Sequence, residues 1–231
     1  VQSAVFTHVS SGSDLVVQSH TGSGKTTAFG LPVLNQLDVE DKSVQAICLA
    51  PTRELALQVA TEIDRLAHDT DLVVTPIYGG ASIRGQIDAL KHGVHFVVGT
   101  PGRVMDLMER GALKLNKVRF AVLDEADEML SMGFWEDVTA ILKRLPKQRN
   151  TLLFSATLPD AIERAARTYL ENPQRVELSG DGIATKSVRH VYHEQNEEWA
   201  KPRNLLYLLE YHKPEAAIVF CNRKDETTMV A

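Results

Sequence analysis

Apolar residues along the chain fall into short runs, separated by longer stretches in which they recur every three or four positions. The runs are "LVV" (15–17), "AICLA" (46–50), "LVVTPIY" (72–78), "VHFVVG" (94–99), "FAVLD" (120–124), "TLLFSA" (151–156) and "RVEL" (175–178). Several are rich in Val and Ile, as strands buried on both faces are. Between them the period changes. In "RELALQVATEIDRLAHD", Leu55, Val59, Ile63 and Leu66 share one helical face, with charges opposite. "TPGRVMDLMERG" opens on a threonine cap with proline in the first turn and stops at Gly111. "LPDAIERAARTYLENP" ends at Asn172-Pro173. Strands alternating with helices of this length make βαβ units, so the pattern predicts an α/β fold with a parallel sheet flanked by helices. Ligands of such sheets sit at the carboxyl ends of the strands. Chemistry is therefore expected just after the apolar runs.

Composition narrows the setting. The net charge is −5, so any nucleic-acid site has to be a local patch. Residues 84–119 supply one candidate: Arg84, Lys91, Arg103, Arg110, Lys114, Lys117 and Arg119 stand against Asp88, Asp106 and Glu109. Solvated helix faces are the other reading of the same block. The two cysteines, Cys48 and Cys221, lie inside apolar runs and read as buried thiols, not as a disulfide or metal site. The eight histidines are scattered, with no pair at metal-ligand spacing. No apolar run is long enough for a membrane span and no leader is visible, so a reducing, cytoplasmic setting fits best. The chain opens without methionine and stops soon after an apolar run, which reads as a piece of something longer.

Two stretches carry the chemistry. "QSHTGSGKTTAF" (18–29) follows the first run and leads into an apolar helix-like stretch. The general phosphate-loop pattern, G-x-x-x-x-G-K-[ST], is met at Gly24-Lys25-Thr26, but its first glycine is replaced by Ser19. Backbone N–H groups in such a loop and the dipole of the following helix hold phosphates, and the lysine reaches the terminal ones. The expected nucleotide contacts are Ser19, His20, Thr21, Gly22, Ser23, Gly24, Lys25, Thr26 and Thr27, with Thr26 able to hold Mg²⁺. The second stretch, "FAVLDEADEML", is an apolar strand ending in Asp124 and Glu125. A carboxylate at the tip of a neighbouring strand is where phosphate-loop enzymes hold Mg²⁺, and the adjacent Glu125 can orient or deprotonate the attacking water.

At Asp124-Glu125-Ala126-Asp127 the chain resembles the DEAD-box ATP-dependent RNA helicases. "SHTGSGKT" is similar to that family's A-x-T-G-x-G-K-T, in which the first position is normally Ala and Ser19 is a mild departure. "PTRELA" (51–56), "GG" (79–80), "TPGR" (100–103) and "SAT" (155–157) match as they stand, and "AIVFCNR" resembles the first signature of the family's second RecA-like domain. The resemblance covers essentially the whole chain. It implies a RecA-like ATP-binding domain over 1–180, a linker over 181–187 and the truncated start of a second RecA-like domain from 188 to 231, beginning strand-helix-strand.

The resemblance also implies roles. Gln2 stands where the family reads adenine, with the usual stacking aromatic further upstream. The family places "SAT" between the nucleotide and RNA sites, where Ser155 and Thr157 would hydrogen-bond toward Asp127 and couple the acidic strand end to its neighbour. Pro51, Thr52, Arg53, Gly79, Gly80, Thr100, Gly102 and Arg103 fall in RNA-binding motifs, which contact the backbone with little sequence preference. ATP and Mg²⁺ are the implied cofactors. RNA and the second RecA-like domain are the implied partners, and the target RNA and protein partners stay open. In the family, arginines of the second domain complete the ATP site, so residues 1–231 alone are expected to bind nucleotide but to hydrolyse it little and unwind nothing. Two alternatives remain beside the helicase reading: a nucleotide-dependent RNA-binding scaffold with little turnover, and a DNA translocase of the phosphate-loop class.

Overall fold

A computed structural model describes residues 2–19, 24–177, 189, 191–194 and 200–230. It divides into two units, 1–181 and 182–231.

The first unit is built on a seven-stranded sheet in the order β3-β4-β2-β5-β6-β1-β7. The strands are β1 (Leu15–Gln18), β2 (Ala46–Leu49), β3 (Val74–Ile77), β4 (Phe96–Gly99), β5 (Phe120–Leu123), β6 (Asn150–Ser155) and β7 (Gln174–Glu177). All neighbours pair in parallel. Burial on both faces explains the unbroken apolar runs. Successive residues of the central strands enter opposite cores, while β7 at the edge adds only Val176 to the first. Leu15, Val17, Ala46, Cys48, Phe96, Val98, Phe120, Val122, Leu152 and Phe154 pack on one side. Val16, Ile47, Leu49, Val97, Ala121, Leu123 and Leu153 pack on the other.

The first core is covered by α1 (Gln2–Ser10), α2 (Lys25–Leu34) and α3 (Arg53–Leu66). The second is covered by α4 (Ile83–Lys91), α5 (Pro101–Glu109), α6 (Ala126–Ser131), α7 (Trp135–Arg144) and α8 (Asp160–Tyr169). The expected α/β architecture is the one found. Pro76 lies inside β3, which is tolerated because β3 is an edge strand and needs no donor on its open side.

Two buried polar side chains tie loops at the amino ends of the strands. The Asp14 carboxylate accepts from the backbone N–H groups of Thr151 (2.7 Å) and Glu171 (2.6 Å), joining the starts of β1 and β6 to the end of α8. His95 is 1% exposed, so its hydrogen bonds have no water to replace them. Its Nδ1 accepts from the Val73 N–H at 2.9 Å, so Nδ1 carries no proton and Nε2 donates to the Val39 carbonyl at 3.1 Å. His95→Leu deprives both part-buried backbone groups of their partner. The expected loss is about 2–4 kcal/mol of unfolding free energy, checked by urea denaturation.

The second unit departs from expectation. Its helices α9 (Lys201–His212) and α10 (Lys224–Val230) form. The apolar run 217–221, expected as a strand, pairs with nothing among the described residues and has no regular structure, and neither do residues 191–194. Ile218 and Phe220 are 82% and 91% exposed, far from the burial a parallel strand requires. A strand needs a neighbour for its backbone donors and acceptors, and its apolar composition alone does not supply one. For the same reason Cys221 is only half-buried, in contrast to Cys48.

Candidate nucleotide and RNA site

Sheet order sorts the motifs into two groups. The phosphate loop follows β1, the acidic pair follows β5, and Ser155 ends β6; β5, β6 and β1 are adjacent strands. Pro51-Thr52-Arg53 follows β2, Gly79-Gly80 follows β3 and Thr100–Arg103 follows β4; these three strands are also adjacent. β2 pairs with β5, so the groups abut along one carboxyl edge.

In the first group, Gly24 precedes α2 with φ 81°, a left-handed conformation that favours glycine. Lys25 opens α2 and is buried. Its Nζ lies 3.6 Å from Asp124 Oδ1, a charge contact just beyond hydrogen-bond range. Oδ1 therefore keeps no hydrogen bond although it is buried. Burial pushes the Asp124 carboxyl up to about 6, against the pull of Lys25 and with a further push from Glu125. Glu125 itself is held in the left-handed region, φ 53° and ψ 56°, a strained conformation for a residue with a Cβ. Lys25 and Glu125 line two cavities, one of ≈ 190 Å³ shared with Pro51 and Thr52 and one of ≈ 510 Å³ shared with Thr26 and Asp124.

Ser155 and Thr157 gather round Asp127. The Asp127 N–H donates to Ser155 Oγ at 3.1 Å, while the Thr157 N–H and hydroxyl donate to Asp127 Oδ2 at 2.9 and 2.8 Å. Burial raises the Asp127 carboxyl, and these hydrogen bonds outweigh it to hold the group below its ordinary value. Gln18, at the end of β1, donates to the Ala156 carbonyl at 3.0 Å and ties the same turn to the phosphate-loop strand.

Other expected nucleotide contacts fall differently. Ser19 is buried, and its hydroxyl has no partner among the described residues. Thr27 turns its hydroxyl to Glu62 on α3 at 3.1 Å, not to the loop. His20, Thr21, Gly22 and Ser23 lie outside the described residues, as does the side chain of Gln2. The backbone of Gln2 begins α1, which leaves a cleft of ≈ 420 Å³ against α2 lined by Ser3, Phe6, Thr7, Thr27, Ala28 and Leu31.

In the second group, Thr52 caps α3 by accepting the Leu55 N–H at 3.2 Å. The Arg53 guanidinium stacks 5.0 Å above the Tyr78 ring, and Gly80 adopts φ 80°. Thr100 caps α5 through its backbone, with Pro101 in the first turn. Gly102 lies on the exposed first turn of α5. Arg103 does not point outward. It donates to the Ala81 carbonyl at 3.2 Å and to Gln86 Oε1 at 3.1 Å. Gly99 has a role that periodicity could not reveal: a Cβ there would sit 2.9 Å from the Ile77 carbonyl and 2.6 Å from a Val104 methyl. Gly99→Ala is expected to displace the β4–α5 turn and destabilise the fold, read by urea denaturation.

Three of the seven basic residues of 84–119 are ion-paired. Lys91 pairs with Asp88 at 3.3 Å, Arg110 with Asp106 at 2.6 Å and Lys117 with Asp41 at 2.7 Å. Arg119 donates to the Gln36 carbonyl at 3.0 Å. The block therefore mixes paired surface charge with side chains that hold neighbouring loops.

A phosphate loop on one strand and a buried carboxylate two strands away define a phosphate-loop nucleotide-binding domain. The sequence pattern of the DEAD/DEAH box helicases matches residues 1–165, and the chain belongs to that family. It is 46% identical over 220 residues to the DEAD-box ATP-dependent RNA helicase CshA of Streptococcus pneumoniae, covering 94% of this chain and 42% of that protein. It is 45% identical over 224 residues to CshA of Bacillus cereus, covering 97% and 42%. The crystal structure of a DEAD box protein from the hyperthermophile Methanococcus jannaschii aligns with TM-score 0.73 and 39% identity, over 98% of this chain and 61% of that one. The chain thus spans less than half the length of these curated relatives.

Proposed function

We propose that the protein is an ATP-dependent RNA helicase that couples Mg-ATP hydrolysis to RNA binding and to local duplex unwinding or RNP remodelling. The observation that carries this reading is the sheet order. It lines the phosphate-loop group and the Gly79, Thr52 and Thr100 group along one edge, with Pro51 and Thr52 walling the same cavity as Lys25 and Glu125.

The residues present fit a magnesium nucleotide. Asp124 Oδ1 is buried, anionic in character and short of a partner, and Thr26 stands in the first turn of α2 beside the same cavity. Those two would hold the ion, directly or through water, and it would supply charge neutralisation at the terminal phosphates. Lys25 turns from Asp124 to those phosphates. Backbone N–H groups at the start of α2 bind the remaining oxygens. Glu125 orients the attacking water and takes its proton. The hydrogen bonds between Asp127, Ser155 and Thr157 tie the β5 turn to the β6 turn, so movement at the acidic pair is felt at its neighbour. Gln2 reads the adenine edge at the α1 end of the site. Pro51, Thr52, Arg53, Gly79, Gly80, Thr100, Gly102 and Arg103 form the RNA side, whose contacts are to the backbone.

In this reading residues 1–180 are the first RecA-like domain, 181–187 the linker and 188–231 the start of the second; the division into two units near 181 supports a boundary there. The free thiols of Cys48 and Cys221 accord with a cytoplasmic setting. Among the described residues no helix is long and apolar enough to cross a membrane.

Comparing ATP hydrolysis by the intact protein with matched RNA and DNA strands tests the proposal. RNA should stimulate turnover and DNA should not, because backbone contacts discriminate through the 2′-OH. Equal stimulation by both points to a DNA translocase, and tight RNA binding without turnover to a scaffold.

A further inference from the structure

We propose that Gln86 is a positioning residue for RNA, one half of a buried latch with Arg103 that holds the Gly79-Gly80 loop in its binding conformation. The inference rests on the RNA-helicase reading and adds to it a residue outside every motif named above.

Gln86 lies on the inner face of α4, 8% exposed, too buried for water to satisfy its amide. Both ends of that amide are used. Nε2 donates to the Tyr78 carbonyl at 3.0 Å and Oε1 accepts from Arg103 Nη1 at 3.1 Å. The same Nη1 donates to the Ala81 carbonyl at 3.2 Å. The carbonyls on either side of Gly79-Gly80 are thereby both drawn inward, one by each partner. The glycines between them are exposed, and their N–H groups have no hydrogen-bond acceptor among the described residues. A turn pinned by its flanking carbonyls presents those amides outward, where a phosphate oxygen can accept from them. Arg53 closes the other side, stacked on Tyr78 and 3.6 Å from where a Cβ on Gly80 would lie.

The latch thus couples the turns after β3 and β4, and through Tyr78 the start of α3. Only an amide serves at position 86. Glutamate keeps the acceptor for Arg103 but faces the Tyr78 carbonyl with another oxygen. Methionine keeps the length and removes both bonds.

The test is a set of titrations on the intact protein, using fluorescent single-stranded RNA in the presence of a non-hydrolysable ATP analogue and, separately, a fluorescent adenine nucleotide alone. Gln86→Met should raise the Kd for RNA by about tenfold, the worth of one or two hydrogen bonds, and leave that for nucleotide within about twofold. Gln86→Glu should show a smaller loss. Adding Arg103→Met to Gln86→Met should cost little more than Arg103→Met alone, because the two act as one unit. Unchanged RNA affinity in Gln86→Met, parallel loss of RNA and nucleotide binding, or full additivity with Arg103→Met each overturns the latch. Failure of the parent protein to bind RNA overturns the functional reading itself, and is told apart because no variant is needed to see it.

Discussion

Glu125→Gln in the intact protein is expected to cut RNA-stimulated ATP hydrolysis by about 10²–10⁴-fold, the usual reach of general acid–base help, with nucleotide affinity nearly unchanged. The substitution is chosen for what it leaves alone. Glutamine has the size of glutamate and the same tolerance of the left-handed backbone at φ 53°, so the turn between β5 and α6 should keep its shape. The amide still lines both cavities beside Lys25 but cannot take a proton. Lys25, Thr26 and Asp124, the residues assigned to the phosphates and the ion, are untouched. Glu125→Gly serves as the contrast. It removes the proton acceptor while accepting the positive φ without a Cβ, so it should lose hydrolysis and stay folded. Single-turnover hydrolysis with saturating RNA, alongside nucleotide titration, reads both effects. Full turnover in Glu125→Gln would show that Glu125 does not activate the water.

Much of the fold was legible because strands buried on both faces announce themselves. The Val-rich runs at 15–17, 94–99 and 120–124 each contain or coincide with an observed parallel strand. Lys25, Asp124 and Glu125 were legible because phosphate chemistry demands particular residues at strand ends. Gln86, His95 and Gly99 were not. Each depends on a partner in another element, such as Arg103 for Gln86 and Val39 for His95, or on a neighbouring strand's carbonyl, as for Gly99. A period of 3.6 marks Gln86 only as one more inward position on a helix.

The resemblance puts Arg103 in an RNA-binding motif; what only the fold reveals is that its guanidinium also holds the Ala81 carbonyl and the Gln86 amide oxygen. The run at 217–221 has the composition of a strand, but strand formation is a property of pairs.

Asp124→Asn and Lys25→Ala should both abolish Mg-dependent nucleotide binding, by about 100-fold or more, yet move the stability of the nucleotide-free protein in opposite directions. The Lys25 and Asp124 side chains are 7% and 3% exposed and 3.6 Å apart, so neither charge is well solvated or well bonded. Burial raises the Asp124 carboxyl to about 6 even with Lys25 beside it. A carboxyl raised on folding favours the folded state while it is protonated, below its unfolded value near 4, and that benefit is lost as pH rises through 6. Above pH 6 the ionised group therefore costs the fold roughly 3 kcal/mol relative to an exposed aspartate. Asparagine removes that cost. It leaves Lys25 without its anion, but the lysine stem is long, sits beside two cavities and can carry its ammonium toward water, which a side chain fixed at the end of β5 cannot do. Asp124→Asn should thus stabilise the protein at pH 8 and change it little at pH 4, where the parent carboxyl is already neutral. Lys25→Ala removes the cation that offsets the buried carboxylate among the described residues, so it should destabilise at pH 8 and much less at pH 4. Thermal unfolding of both variants at the two pH values, with and without Mg-nucleotide, separates the cases. The parent should gain from the ligand and neither variant should. A loss of stability in Asp124→Asn at pH 8 would mean that the Lys25–Asp124 pair supports the fold, and that the site does not hold its carboxylate at a cost which the bound ion relieves.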